Sequence, residues 1–255
     1  DYPRELFDIF VVADNCTDDT AEIAREAGAI VFEHFDDDPK HKKAGYALQF
    51  GFEKILESYD NYDFFIKFDA DNLMEPNYIS KMNDAFDSGV KSARGYSNSK
   101  NITQNIVSGI SGLWYIRDSR FACQARSFLG TSQMLGGAGM MFSADIIREH
   151  GGWDCLSASD DAEFALKRLR EGVKTHYVSE AIVYEDQPTT LKDTFNRNKR
   201  MGKGLFELFF TQGIPCFFKF FTKFGWSYID MFLNMLFVPI AVLCCTWVPL
   251  YYGYD

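Results

Sequence analysis

Within the first ninety residues, short apolar runs alternate with segments of helical period, and few architectures accept that pattern. Phe7 to Ala13 is rich in β-branched and aromatic residues and reads as a buried strand. Asp14 to Thr20 is a polar turn with helix-capping chemistry, and Thr20 to Ala27 reads as a helix closed by Gly28. A strand over 29–33, a helix over 44–58, a strand over 62–68 and a helix over 76–89 follow. Strands interleaved with helices predict an α/β domain with a doubly wound, mostly parallel sheet. In such sheets ligands bind beyond the carboxyl ends of the strands. Two acidic turns, at Asp14 and at Asp69-Ala70-Asp71, fall at such ends.

Further along, 93–133 shows no clear period. The turn Leu135-Gly136-Gly137-Ala138-Gly139 precedes the apolar Met140-Met141-Phe142. Ser159 to Glu171 predicts a helix ended by Gly172, and Thr175 to Tyr184 an edge strand. The tail differs in kind. Leu205 to Phe224 is aromatic and basic, broken at Gly213-Ile214-Pro215, and suits a helical hairpin on a membrane surface. Met231 to Tyr254 carries no charge. As a helix it would reach about 36 Å, enough for a hydrocarbon core of about 30 Å. The expected organisation is therefore a catalytic domain over 1–204, an interfacial segment over 205–228 and a transmembrane helix over 229–255.

Charge narrows the partners. The chain carries −10 overall, against the sign expected of a nucleic-acid binder. Residues 192–223 hold seven Lys/Arg against two Asp/Glu, a local +5 that leaves −15 elsewhere. A basic stretch before an apolar one suits phosphate chemistry and a cytoplasmic membrane face. Six cysteines without a CxxC read as reduced thiols.

Asp69 and Asp71 are costly neighbours, because like charges this close raise each other's pKa unless a cation intervenes. Mg²⁺ and Mn²⁺ take oxygen ligands and are commonly held by one or two carboxylates plus substrate phosphates. The pair thus points to a divalent metal and a diphosphate, the bland alternative being a solvated turn.

Several motifs in order make a resemblance. Val11 to Thr20, Lys43-Ala44-Gly45-Tyr46-Ala47-Leu48, Asp69-Ala70-Asp71-Asn72, Ser159-Asp160-Asp161-Ala162-Glu163 and Arg197-Asn198-Lys199-Arg200-Met201-Gly202-Lys203-Gly204 resemble the segments of inverting family 2 glycosyltransferases. The likeness is to the membrane-associated branch that makes hyaluronan, chitin, cellulose and poly-N-acetylglucosamine. It implies a GT-A fold, a nucleotide-sugar donor (a UDP-sugar), a glycan or lipid-linked acceptor and Mn²⁺ or Mg²⁺. It puts Asp14 on the base or ribose, Lys43 on phosphate, Asp71 on the metal with Asp69 in support, and Arg197 and Arg200 on the diphosphate. Asp161 becomes the general base, with Asp160, Gly137 and Met201 on the acceptor side, near the Gly-rich loops 136–139 and 151–154. Arg197 stands where the family has Gln and Met201 where it has Trp. The chain lacks the family's additional first strand and is expected to begin inside the fold. The alternatives are a nucleotidyltransferase and a degenerate scaffold protein that binds nucleotide sugars without turning them over.

Overall fold

The computed structural model describes residues 1–59 and 61–252, with the side chains at 238, 242, 243 and 245–252 left out. Strands β1 (Phe10–Asp14) and β2 (Ile30–His34) are joined by helix α1 (Thr20–Glu26) and pair in parallel, with Asp14 opposite His34. Helix α2 (Ala44–Ser58) packs on them, since Gly51 leaves room for Val12. These two strands form their own sheet.

A second sheet of five strands follows in the order β3-β6-β5-β7-β4. Its members are β3 (Phe64–Lys67), β4 (Leu73–Met74), β5 (Ser92–Ser99), β6 (Met140–Ser143) and β7 (His176–Glu185). Only the β5–β7 pairing is parallel, whereas β3–β6, β5–β6 and β4–β7 are antiparallel. The sheet is therefore mixed, not mostly parallel. Helices α3 (Tyr78–Asp87), α4 (Ile106–Arg117), α5 (Gln124–Leu129), α6 (Ala144–Glu149) and α7 (Asp160–Glu171) complete this part. The expected edge strand, β7, lies inside the sheet because the two-residue β4 covers its far end.

The main core is aromatic. Trp153 stacks between Phe52 and Phe164, and its indole N–H donates to Cys155 O at 2.8 Å. That indole is buried, so Trp153 is a packing residue and not part of an open acceptor loop.

The tail is helical throughout. Helix α8 (Leu191–Leu208) runs through a π-turn over Phe209–Gly213 into α9 (Ile214–Lys223). Pro215 follows directly on the π-turn and the helix continues through it, so the expected break at 213–215 does not occur. The chain reverses instead at Phe224, whose φ is +46°. Helix α10 (Trp226–Tyr252) then returns along the domain. Tyr228, Met231 and Met235 bury one face of it against Leu166, Leu208 and Cys216. Asp230 pairs with Arg126 at 2.8 Å. Among the described residues no helix is long and apolar enough to cross a membrane. The expected transmembrane helix is not supported, because the first turns of α10 pack against the domain; 253–255 lie outside the described residues.

Candidate active site

The two acidic turns and the start of α7 gather at strand ends. Asp69 follows β3, and the turn is tied by its own Asn: Asp69 N–H donates to Asn72 Oδ1 at 3.0 Å, and Asn72 Nδ2 donates to Asp71 Oδ1 at 3.0 Å. Both carboxylates remain open to solvent.

Ninety-odd residues later, Asp160 and Asp161 open α7, where the helix dipole favours acids. Gly137 shows how close the two ends come. A methyl group on it would lie 3.6 Å from Asp161 Oδ2 and 3.7 Å from Asp69 Oδ2. Its φ of +57° explains the glycine at that point.

Lys67 binds the cluster together. Its Nζ lies 3.7 Å from Asp69 Oδ1 and 3.7 Å from Asp160 Oδ2, on a side chain only 9% exposed. Burial lowers its pKa, but Asp160, Asp69 and Asp161 outweigh that effect and the net shift is upward. Asp161 is pushed above the usual carboxylate range, first by burial and then by Asp160, with Lys67 opposing. Asp160 Oδ2 is buried without a hydrogen-bond partner.

Asp14 and Lys43 face each other across an open cleft of about 340 Å³ that Asn15 and Lys42 also line. Asp14 Oδ1 meets His34 Nδ1 at 2.7 Å, which fixes its orientation. Lys43 sits at the N-terminal end of α2, a favourable place for an anion. Its Nζ donates to Leu156 O at 3.3 Å. Gly45 approaches Cys155 O too closely for any side chain. The cleft is thus tied to the loop that leads into Asp160 and Asp161.

The last motif divides. Arg200 lines a second cleft of about 370 Å³ with Asn196 and Arg197, and Met201 is half-exposed. Arg197 is engaged internally. It donates to Gln187 Oε1 at 2.9 Å and to the Tyr115 hydroxyl, and lies 3.9 Å from Glu185. Burial pushes the Glu185 carboxyl up to about 7, with Arg197 opposing. Arg197 therefore docks α8 onto α4 and the end of β7. Gly204, a turn beyond Arg200, abuts the start of α7, and a methyl there would fall 2.3 Å from Ser159 Oγ.

Sequence reasoning missed Lys67, His34, Tyr115 and Glu185. Lys67 left a signal, as the only charge in the run Phe64-Phe65-Ile66-Lys67-Phe68 just before the acidic pair. The others are brought in only by tertiary contacts.

Among the described residues no three His, Cys, Asp or Glu side chains gather closely enough to hold a metal alone. The exposed pair Asp69 and Asp71 nevertheless fits the way Mg²⁺ and Mn²⁺ are commonly held, by one or two carboxylates with phosphate oxygens filling the shell.

A mixed sheet with an acidic turn after β3 and a second acidic cluster opposite it is a GT-A-like α/β fold. The chain belongs to glycosyl transferase family group 2, whose family model matches residues 64–254. A probable glycosyltransferase of Sulfolobus acidocaldarius is 27% identical over 177 residues, which are 66% of this chain and 36% of that protein. The chain thus spans about a third of the length of that curated relative. Among solved structures, the mannosyltransferase PcManGT from Pyrobaculum calidifontis, in complex with GDP-Man and Mn²⁺, aligns with 98% of this chain and 72% of its own. The TM-score is 0.59 at 15% identity, a likeness of fold.

Proposed function

We propose that the protein transfers a sugar, with inversion, from a nucleoside-diphosphate sugar, a UDP-sugar in the first instance, to a glycan or lipid-linked acceptor. The observation that carries this reading is the meeting of Asp69 and Asp161 at Gly137. It sets a donor-side carboxylate beside a partly buried carboxylate whose pKa is raised.

In this reading Asp14 accepts hydrogen bonds from the base or ribose, held in place by His34, and Lys43 at the start of α2 holds phosphate. Asp71 and Asp69 would hold Mn²⁺ or Mg²⁺, which supplies neutralisation of the leaving diphosphate. Arg200, in the second cleft, offsets the same charge. Asp161 takes the proton of the acceptor hydroxyl as that oxygen attacks the anomeric carbon. An upward-shifted carboxylate is a better base for that step than an ordinary one. Asp160, Gly137 and Met201 line the acceptor side. Arg197 acts as a positioning residue, through Tyr115 and Glu185.

A nucleotidyltransferase would need the acidic pair but would have no use for Asp161 across from it. We further infer a membrane-associated protein with its catalytic domain on the cytoplasmic face. Phe218, Phe221, Phe224 and Trp226 are all more than half exposed, beside the basic Lys219 and Lys223. That composition suits an interfacial segment over 205–228.

A screen of nucleotide-sugar donors with Mn²⁺, reading release of nucleoside diphosphate, tests the activity. Asp161→Asn should lower turnover by about 10²–10⁴-fold while donor affinity is kept. Equal loss of donor affinity would remove Asp161 from the role of base. Absence of any turnover in the complete protein would leave only the scaffold reading.

A further inference from the structure

Helix α4 turns an apolar stripe away from the domain. Ile106, Ile110, Leu113 and Trp114 are each 61–81% exposed, while Ser108 and Gly112 are buried on its other side. The spacing i, i+4, i+7, i+8 is that of one helix face. The stripe continues with Phe121, 67% exposed, within the π-turn over Asp118–Cys123 and with Phe128, 89% exposed, in α5. Arg117 lies 4.7 Å over the Trp114 ring. Neither Arg117 nor Arg120 has a carboxylate partner among the described residues.

The stripe does not end with α5. Arg126 donates to Asp230 and so lays α5 against the start of α10. Trp226, Leu233 and Phe237 fall on the Asp230 face of α10, all more than half exposed. An apolar belt of this extent exceeds what a soluble surface ordinarily leaves uncovered and marks an interaction site.

Charge selects the occupant. Residues 106–129 and 191–252 together carry ten Lys/Arg and four Asp/Glu, a net of +6, which leaves −16 on the rest of the chain. A second copy docking through the same belt would bring Arg117 and Arg120 of both copies together, and neither has a carboxylate partner among the described residues. An anionic bilayer offers the opposite charge, and basic residues near its surface each add to the attraction. Exposed Trp and Phe beside unpaired Arg is also the composition of helices that lie in the headgroup layer.

We propose that α4 and α5 form a membrane-docking surface of their own, continuous with α10, that lies flat on an anionic lipid surface. This rests on the membrane reading above and extends it into the catalytic domain. The inner side of α4 carries Tyr115, which holds Arg197. The helix that meets lipid would therefore also border the site, through Arg197.

Vesicle co-sedimentation of the full chain tests this, with phosphatidylcholine alone and mixed with phosphatidylglycerol. The parent should bind the mixed vesicles and not the neutral ones. Ile110→Glu with Trp114→Glu should weaken that binding by at least about tenfold. Arg117→Glu with Arg120→Glu, which keeps the apolar side chains of the stripe, should weaken it too, and most at low salt. If both pairs of variants bind as the parent while Phe218→Glu with Phe221→Glu abolishes binding, the inference is overturned and the membrane reading stands. If the parent binds neither vesicle, both fall. If it binds no vesicle but forms a dimer that Ile110→Glu with Trp114→Glu dissolves, the belt belongs to a second copy and the inference is overturned.

Discussion

Replacing Lys67 by Met tests the acidic cluster at its most buried point. The change keeps the length of the side chain and removes its charge. At 3.7 Å and an effective dielectric constant of about 20, the attraction to Asp160 is about 4 kcal/mol. Asp69 is 56% exposed, so its share is screened to about 1 kcal/mol or less. Relief of the lysine's own desolvation offsets part of this. Breaking a buried pair by removing one partner costs about 3–5 kcal/mol, and about 3 kcal/mol is the net loss expected near neutral pH.

The pH dependence has a definite sign. A carboxylate with a raised folded pKa lends stability below its unfolded value near 3.9, and that stability is lost as pH rises through the folded value. Without Lys67, which opposes the upward shift of Asp161, that carboxyl rises further, so the gap between parent and variant opens toward neutral pH and closes toward acid. Urea unfolding with EDTA at pH 7.5 and pH 5 measures it. With a slope of about 2–3 kcal/mol per molar, the midpoint should fall by about 1 M at pH 7.5 and by clearly less at pH 5. Equal midpoints at pH 7.5, or the same gap at both values, would refute the argument that Lys67 neutralises the cluster.

Two further outcomes are expected. Asp71→Asn should weaken donor binding in the presence of Mn²⁺ by about tenfold or more while leaving metal-free binding alone, which calorimetric titration with and without EDTA would show. Glu185 is pushed up to about 7, so it lends stability below pH 4.5 that disappears as pH rises to neutrality. Glu185→Gln should flatten that slope and recover about 3 kcal/mol near pH 7, and unchanged melting curves across this range would count against a buried, costly carboxylate.

The local elements were legible because their signals are local. Helix α2 was expected and found over residues 44–58, β3 lies inside its apolar run, and β1 and β2 each run one residue past theirs, to Asp14 and His34. Strand β5 was not seen, since Ser92 to Ser99 is polar, and its buried serines pair with other elements: Ser92 with Thr175, Ser97 with Ser119. Strand direction was also hidden. The mixed pairing follows from how β6 and β7 enter the sheet, which no period records. At the site, Asp14, Asp69 and Asp161 could be named because acids at strand and helix ends leave a mark in the sequence. The contacts of Arg197 with Tyr115, Glu185 and Gln187 were not legible, because those partners are remote from it or belong to another element.

Gly204 and Ser159 touch with no side chain between them. That contact leaves no slack between the basic helix and the helix that begins with Asp160 and Asp161. If Asp161 is the base of the proposed transfer, the placement of α8 would also bear on the direction from which a hydroxyl reaches it. Acceptor alignment would then depend on Gly204, a residue with no chemistry of its own.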